Sequence, residues 1–320
     1  MVPDSRWIQN LLQAEDPLAA IWEAALALWR VDTMPTDLVE FYNQREEALS
    51  LLEAMLYHGY FEVYEMLLER AQKQDGSYVR ELLQGDAVVI IADSLSLREA
   101  GLLSLWLGER GWEVKVEGFA VAPFPTLTES LSVKLLGTQP SGGRDTPDFA
   151  YRYFPGPGQL PSLPRGRPTL VWLRLPDTKL EEITVAQSTT VQDAFEITTY
   201  AIERVFEAAG NRPVSITSDH GYLYAISSSH YWDLPEDVKG AVRKVFPRES
   251  RAQPLSKEGA KDLRHYEART PEDRLFAISG EYIALRGRYW WGGTGPNDRC
   301  TAHGGLSLAE VMVPVLKLNG

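Results

Sequence analysis

An acidic residue and a histidine stand side by side in the segment 216–222, ITSDHGY. A short apolar run ends there in Asp219 and His220, which would present one hard oxygen and one borderline nitrogen donor to a single metal ion. Acid–histidine pairs before a glycine turn also occur by chance, so this segment alone leaves an ordinary turn equally open. A second histidine, His303, precedes a Gly-Gly turn in residues 302–316, AHGGLSLAEVMVPVL, which continue as a short helical stretch and an apolar strand.

Together, these two segments resemble the PglZ domain, a branch of the alkaline phosphatase superfamily. Residues 86–99, DAVVIIADSLSLRE, are similar to the first family motif, in which a buried strand ends in a metal-binding Asp that matches Asp93. Residues 123–131, PFPTLTESL, resemble the family's Pro-Thr/Ser-x-Thr segment, whose second hydroxyl residue is the nucleophile and also touches the metal. The resemblance therefore implies that Thr128 is the nucleophile. Because Thr126 lies two residues earlier, the order of the two threonines stays open.

Thr128 also stands where a helix is predicted to begin. Residues 129–136 read as a short helix that ends at Gly137, which puts the hydroxyl at the helix N-terminus. The free backbone N–H groups and the positive end of the helix dipole favour both an alkoxide and a bound phosphate at that point. The same position also suits a threonine that only caps the helix.

The second metal position is where this sequence departs from the family pattern, which supplies an Asp, a His four residues later and the C-terminal His. Here the apolar run 170–175 leads to Asp177, but position 181 is Glu. Because a carboxylate can ligate zinc or manganese, the resemblance still implies a second ligand set of Asp177, Glu181 and His303, with Glu182 as an alternative donor. The other interpretation is that Glu181 is a solvated helix residue and that this site is weak or empty.

Other histidines and arginines are further candidates for the site. His230 follows a run of serines ten residues after the Asp-His pair, and it is a candidate to replace the histidine that the second ligand set lacks. Arg286, Arg288 and Arg299 flank the C-terminal histidine and are candidates to hold a substrate phosphate. The larger basic group in residues 243–264 reads as solvated surface.

The superfamily resemblance implies a metal-dependent phosphodiesterase or phosphatase with two zinc ions, or manganese in their place. One ion, held by the first ligand set of Asp93, Asp219 and His220, would contact Thr128, and the ion of the second ligand set would stabilise the leaving oxygen. Thr128 would attack phosphorus, and water would then hydrolyse the phosphothreonine. The implied substrate is a phosphate monoester or diester, with nucleotide or oligonucleotide diesters as the family-based expectation.

Two other functions stay open. The first is a catalytically degenerate interaction module in a bacterial phage-defence complex, such as a BREX system, or in a signalling complex, where PglZ domains are commonly found. The glutamate at position 181 and the helical front end allow this hypothesis, in which residues 1–84 would contact the partner proteins. The second is a phosphomutase-like transfer, which would use the same metal arrangement.

Composition sets the remaining bounds. The chain has 320 residues, of which 44% are apolar and 24% charged, values typical of a soluble globular protein. Its net charge of −12 argues against a broad, non-specific grip on nucleic acid. The single cysteine, Cys300, excludes an intrachain disulfide, and no apolar stretch reaches the roughly 20 residues of a membrane span. With no secretion signal at the N-terminus, we expect a cytoplasmic protein without a membrane partner.

Two units are predicted from the element pattern. Residues 1–84, the helical front end, carry a helix start at Asp16 and Pro17 and then helical runs over 37–56, 61–71 and 77–83, and they would form a docking module or a lid. Residues 85–320, the α/β body, are expected to form the PglZ or alkaline-phosphatase-like domain.

The α/β body is predicted to hold a mostly parallel sheet flanked by helices, since apolar strands alternate with helical runs from residue 85 onward. Asp93, Asp177 and Asp219 each fall just past such a strand, at the edge where α/β sheets bind ligands. Two segments interrupt the alternation: residues 139–167, rich in Pro and Gly, and residues 246–273, which are polar. Both read as long loops or small insertions over the strand ends.

Overall fold

The protein begins with consecutive helices, as seen in a computed structural model that describes residues 5–185, 189–248, 250–266, 274–292 and 300–319. The helices of the front end are α1 (Ser5–Gln13), α2 (Pro17–Trp29), α3 (Leu38–Gly59), α4 (Glu62–Lys73) and α5 (Ser77–Leu82). The side chains of Asp16 and Asp37 accept backbone N–H bonds at the starts of α2 and α3, which explains where these helices begin. The predicted helices of this region are confirmed to within three residues at each end.

The described part of the α/β body alternates strands and helices. Its helices are α6 (Leu97–Gly108), α7 (Thr128–Leu136), α8 (Asp177–Val185), α9 (Val191–Ala209), α10 (Glu236–Val245) and α11 (Leu308–Val311). Its strands are β1 (Val88–Ala92), β2 (Glu113–Val121), β3 (Ala150–Phe154), β4 (Thr169–Leu173), β5 (Val214–Thr217), β6 (Leu223–Ala225), β7 (Trp232–Asp233), β8 (Ala252–Pro254), β9 (Phe276–Ser279), β10 (Tyr282–Leu285), β11 (Tyr289–Trp290), β12 (Cys300–Ala302) and β13 (Met312–Asn319).

The main sheet has six strands in the order β2-β13-β5-β1-β4-β3. β1 is parallel to β4 and β5, and β4 is parallel to β3, whereas β13 is antiparallel to both of its neighbours. In the smaller sheets, β10 pairs with both β8 and β9, β11 pairs with β7, and β12 pairs with β6. The predicted α/β class, with a mixed but mostly parallel sheet and a helical N-terminal region, is confirmed.

The sheet is buried on both faces because its central strands are mostly apolar. β1, β4 and β5 are buried along their whole length. Successive side chains of a strand point to opposite faces, so Val88 and Ile90 pack with residues of α6 and α9, while Val89 and Ile91 pack with residues of α5 and α7. Helices thus cover both faces and leave the strand ends as the place for polar side chains.

The predicted loop over residues 139–167 is wrong in one part, because β3 lies inside it as the edge strand of the main sheet. All five of its residues pair with β4. The proline and glycine residues on either side conceal a short aromatic stretch that fits a half-buried strand. The predicted loop over residues 246–273 contains the short strand β8, and its residues 249 and 267–273 lie outside the described chain.

Buried ion pairs join α3 of the front end to the α/β body. Glu46 accepts from Nε and Nη2 of Arg98 at 2.7 and 2.6 Å and also pairs with Arg288. Glu53 lies 3.4 Å from Arg288, and all four of these side chains are fully buried. Buried ion pairs therefore connect the helical front end to the α/β body. The domain boundary between residues 84 and 85 stays a prediction.

Within the described ranges, no helix is both long and apolar enough to cross a membrane.

Candidate active site

Three acidic residues meet at the carboxyl edge of three adjacent strands. Asp93 directly follows β1, Asp177 opens α8 beyond β4, and Asp219 lies two residues beyond β5. Each is at most 4% exposed. Because β1 lies between β4 and β5 and is parallel to both, the ends of these strands open on one edge of the sheet. The structure thus places the three acids together, as their positions in the sequence predict.

The first ligand set forms a compact, buried group. One donor atom from each of Asp93, Asp219 and His220 lies within 4.8 Å of the others. Asp219 Oδ1 accepts from the backbone N–H groups of Ser94 and His220 at 3.2 and 3.0 Å. Asp219 Oδ2 is buried and accepts no hydrogen bond from the residues that the structure describes. A buried carboxylate oxygen without a donor is costly, so the donor set and this oxygen both fit a bound cation such as zinc or manganese.

His220 is oriented to use its Nε2 atom as a ligand. Its Nδ1 lies 3.0 Å from the Gly221 carbonyl oxygen, which can only accept, so Nδ1 carries the proton. In the neutral ring, Nε2 then carries the lone pair, and it lies 3.3 Å from Thr128 Oγ1 and 3.5 Å from Asp219 Oδ2. The ring also stacks on that of His303, with centroids 4.4 Å apart. These contacts fix the ring orientation in the way that metal-binding histidines require.

Asp93 is held in surroundings that disfavour its charge. Burial raises its pKa well above the usual range, and the carboxylates of Asp219 and Asp177 raise the pKa further. Arg174 Nε and the Trp172 indole N–H, at 3.5 and 3.4 Å from Asp93 Oδ2, oppose this effect without cancelling it. Without a bound cation, the site has too little positive charge to compensate its carboxylates. A metal ion would supply that charge.

Thr128 places a hydroxyl against the first ligand set. It is the first residue of α7, and its Oγ1 lies 3.3 Å from Asp93 Oδ1 and 3.3 Å from His220 Nε2. The side chain is only partly buried, so a substrate can approach it. The positive end of α7 favours an oxyanion at the same point.

Thr126, the other candidate nucleophile, supports the Gly-Gly turn. It is fully buried, and its hydroxyl donates to the Gly305 carbonyl at 2.9 Å and accepts from the Gly304 N–H at 3.0 Å. Gly304 has a φ of +107°, and a Cβ there would lie 2.9 Å from the Ala252 nitrogen, so the turn needs glycine. The geometry therefore favours Thr128 over Thr126.

The donor atoms of the second ligand set do not form a compact group as those of the first set do. Asp177 Oδ1 accepts from Ser94 Oγ at 2.9 Å and lies 4.0 Å from His303 Nε2, while Asp177 Oδ2 accepts from Arg174 Nη2 at 2.9 Å. The Glu181 side chain is 54% exposed and lies 3.8 Å from Arg174. Burial and then the neighbouring His220 lower the pKa of His303, which keeps that imidazole neutral. Within the described residues, only the first ligand set forms a compact metal-binding group.

Two residues of this site are absent from the sequence prediction. Ser94 adopts a left-handed φ of 67°, and this conformation lets its N–H face Asp219 while its hydroxyl faces Asp177. Arg174 is the first residue after β4, and its guanidinium lies among the carboxylates. The sequence could have indicated both residues, because Ser94 directly follows a candidate ligand and Arg174 is a charged residue at the end of a buried strand.

The other residues considered for the site serve elsewhere in the structure. His230 Nε2 lies 3.1 Å from the Asn43 carbonyl oxygen, and its ring stacks on Tyr224, so it does not replace a ligand. Glu182 accepts from Lys179 and Thr189, each at 2.8 Å.

The arginines near the C-terminal histidine are engaged in ion pairs. Arg286 pairs with Glu65 at 2.6 Å, and Arg288 pairs with Glu46 in the interior. Glutamates of the front end already compensate the charges of these two arginines, which argues against a role in holding a substrate phosphate. Arg299 lies outside the described residues.

We expect Gly221→Ala to destabilise the protein by about 1–3 kcal/mol, the usual cost of overpacking. A Cβ at this position would lie 2.0 Å from the Ala309 carbonyl oxygen and 3.0 Å from Ser96 Cβ. The Gly221 N–H donates to the Glu310 carbonyl at 2.9 Å, so α11 passes directly against the Asp-His-Gly segment. Urea unfolding monitored by circular dichroism measures the change.

Gly240→Ala is the matched control for this substitution. Gly240 lies inside α10, where a Cβ would meet nothing within 4 Å. Alanine there should stabilise the protein by up to about 1 kcal/mol, because alanine is the better helix former. If both variants unfolded at the same urea concentration, the close approach of α11 would not constrain position 221.

The comparisons with known proteins find fold similarity alone. No protein-family model matches this sequence, and neither does any curated protein. Among solved structures, phosphonoacetate hydrolase from Sinorhizobium meliloti 1021 with phosphonoformate is similar at 12% identity and a TM-score of 0.38, covering 74% of this chain and 90% of that one. The same hydrolase with phosphonoacetate gives 12% identity and a TM-score of 0.26, with 76% and 67% covered.

A second kind of structure is also similar. It is an inactive variant of murine ectonucleotide pyrophosphatase/phosphodiesterase 5 with AMP, at 14% identity and a TM-score of 0.26. The alignment covers 49% of this chain and 48% of that one, so about half of the murine protein has no counterpart here. At these scores the similarities carry no conclusion about activity, which has to be argued from the site itself.

Proposed function

We propose that this chain is a metal-dependent phosphodiesterase or phosphatase of the PglZ type, in the alkaline phosphatase superfamily, with Thr128 as its nucleophile. The observation that carries the proposal is the position of the Thr128 hydroxyl. It lies at the start of α7 and 3.3 Å from a ligand atom of both Asp93 and His220. A nucleophile, a metal-binding group and a helix N-terminus thus coincide at one point.

The first ligand set would hold the metal ion, and zinc or manganese suits its two carboxylates and one imidazole. Such an ion, when bound, lowers the pKa of a hydroxyl and balances negative charge on a phosphoryl group. The protein prepares this position in two ways. Trp172 and the Ser94 N–H orient the carboxylates, and the Gly221 carbonyl selects the tautomer of His220.

The reaction proceeds in two displacements. The Thr128 hydroxyl gives up its proton, for which Asp93 Oδ1 is an acceptor at 3.3 Å, and Oγ1 forms a bond to phosphorus while the bond to the leaving oxygen breaks. The leaving oxygen takes up a proton from solvent and departs. Water then attacks phosphorus and gives up a proton to solvent, the Thr128–phosphorus bond breaks, and Thr128 Oγ1 recovers its proton from Asp93. The α7 N-terminus stabilises the non-bridging oxygens in both steps.

The substrate class follows from this chemistry as a phosphate monoester or diester. Arg174 has its guanidinium among the carboxylates of the site, whereas Arg286 and Arg288 pair with glutamates of the front end. We include nucleotide and oligonucleotide diesters in the proposal on the basis of the PglZ resemblance.

Removal of metal tests the proposal. We expect the purified chain to hydrolyse bis(p-nitrophenyl) phosphate or p-nitrophenyl phosphate, and chelation to lower turnover by at least about 100-fold. Adding zinc or manganese should restore turnover, and an Asp219→Asn variant should bind less metal and recover less activity. Plasma mass spectrometry of the same samples measures bound metal.

Two outcomes would contradict the proposal. If turnover persisted unchanged in fully chelated protein, the metal-dependent mechanism would be wrong. If the chain bound no metal and hydrolysed neither ester, the alternative of an interaction module in a defence or signalling complex would be favoured. The second ligand set, which is less compact than the first, is the observation that keeps this alternative in view.

A further inference from the structure

Arg174 brings a permanent positive charge to the second ligand set. Its Nη2 donates to Asp177 Oδ2 at 2.9 Å and lies 3.8 Å from Glu181 Oε1, while its Nε lies 3.5 Å from Asp93 Oδ2. One guanidinium thus faces three carboxylates. A guanidinium stays protonated under all physiological conditions, so this charge cannot be removed by a pH change.

Both oxygens of Asp177 are already used by protein donors. Oδ2 accepts from Arg174, and Oδ1 accepts from Ser94 Oγ at 2.9 Å. An ion bound by the second ligand set would have to displace at least one of these donors. Glu181, whose side chain is 54% exposed, would also have to leave Arg174 and turn toward His303. The residues present therefore do not fit a second ion in this conformation.

Charge balance leads to the same conclusion. Asp93, Asp177 and Asp219 are buried, and buried carboxylates are stable only when they are compensated. Their three negative charges are matched by the single charge of Arg174 and one divalent ion at the first ligand set. A second divalent ion would leave excess positive charge beside a guanidinium that is two-thirds buried.

We propose that Arg174 occupies the second cation position, so that this chain holds one metal ion where the family resemblance implies two. The inference rests on the proposed function, since it concerns the same site. Asp177 then serves to hold Arg174 in place, and His303 packs against His220 as a neutral imidazole. The site combines one exchangeable cation with one fixed cation.

Zinc titration of the chelated chain tests this inference without relying on turnover. We expect the native chain to bind one equivalent tightly. Arg174→Gln should bind a second equivalent at least about 10-fold more tightly than the native chain does, because the amide leaves Asp177 without its cationic partner. Arg174→Lys keeps a positive charge and should remain at one equivalent. Calorimetric titration gives the stoichiometry and both dissociation constants.

Arg152→Gln is the matched control. Arg152 lies on the neighbouring strand β3, has a similarly shielded side chain and pairs with Asp145 at 2.9 Å. This substitution should leave zinc binding at one equivalent. Two tight equivalents in the native chain would overturn the inference, as would a second equivalent that Arg174→Gln does not strengthen or that Arg174→Lys strengthens equally.

The result also separates this inference from the proposed function. Two tight equivalents together with ester hydrolysis would overturn the role of Arg174 alone. One equivalent without any hydrolysis would support the role of Arg174 and count against the hydrolase. A native chain that binds no zinc would overturn both.

Discussion

Thr128→Ala is expected to lower kcat for bis(p-nitrophenyl) phosphate by at least about 10³-fold, because removal of a covalent nucleophile ends the first displacement. Asp93, Asp219 and His220 are unchanged in this variant, so it should still bind zinc. The substitution removes one partly exposed hydroxyl from the first turn of α7 and leaves no large cavity. Release of p-nitrophenol under saturating substrate measures kcat.

Ser130→Ala is the matched control for the nucleophile. Ser130 lies two residues further along α7 and is also partly buried. Its substitution should change kcat by less than about 3-fold, while Thr128→Ser should retain measurable turnover because it keeps a hydroxyl at the same position. If Thr128→Ala matched the native rate with zinc bound, the assignment of the nucleophile would be wrong.

Glu46→Gln is expected to lower the free energy of unfolding by about 3–5 kcal/mol, the usual cost of leaving a buried charge without its partner. Glu46 compensates both Arg98 and Arg288, and all three side chains are fully buried. A glutamine keeps the shape but removes the charge. Urea unfolding near neutral pH measures the loss. The control is Glu69→Gln, which removes an exposed ion pair with Lys73 and should leave the urea midpoint nearly unchanged.

The effect of Glu46→Gln should depend on pH. Burial alone would raise the pKa of Glu46, but Arg288 and Arg98 outweigh it and lower the pKa from its ordinary 4.5 to about 2. A carboxylate whose pKa is depressed by folding stabilises the protein above its unfolded pKa, and this stabilisation is lost as the pH falls from 4.5 toward 2. The native chain and the variant should therefore differ less at about pH 3 than at about pH 7. An equal difference at both pH values would contradict the assigned charge state.

The buried ion pairs also reach the candidate site through α11. Glu310 pairs with Arg251 in the interior, and its carboxylate accepts from the Gly305 N–H at 2.8 Å, within the turn that follows His303. The Glu310 carbonyl accepts from the Gly221 N–H at 2.9 Å, next to His220. One buried glutamate thus holds the segments of both site histidines. The front end contributes to this region through Glu53, which accepts from the Leu308 N–H at 2.8 Å.

The α/β class and the strands that carry the three acids can be predicted from the amino-acid sequence. The apolar runs before Asp93, Asp177 and Asp219 have one favourable arrangement, as buried parallel strands, and the carboxyl ends of such strands meet at one edge. The starts of α2 and α3 can also be predicted from nearby residues, since Asp16 and Asp37 cap these helices. The edge strand β3 could not be predicted in this way, because its proline- and glycine-rich neighbours are typical of loops.

Only the tertiary structure shows which charged side chains are paired with one another. Nothing in the sequence shows that Arg288 faces Glu46 across more than 200 residues of chain, or that Arg174 turns toward Asp177 and Glu181. Electrostatic compensation depends on distances of a few ångströms between residues that are remote in sequence, so it appears only after folding. The family resemblance implies two metal positions, whereas the folded chain gathers one compact metal-binding group among its described residues and places a guanidinium beside the second ligand set.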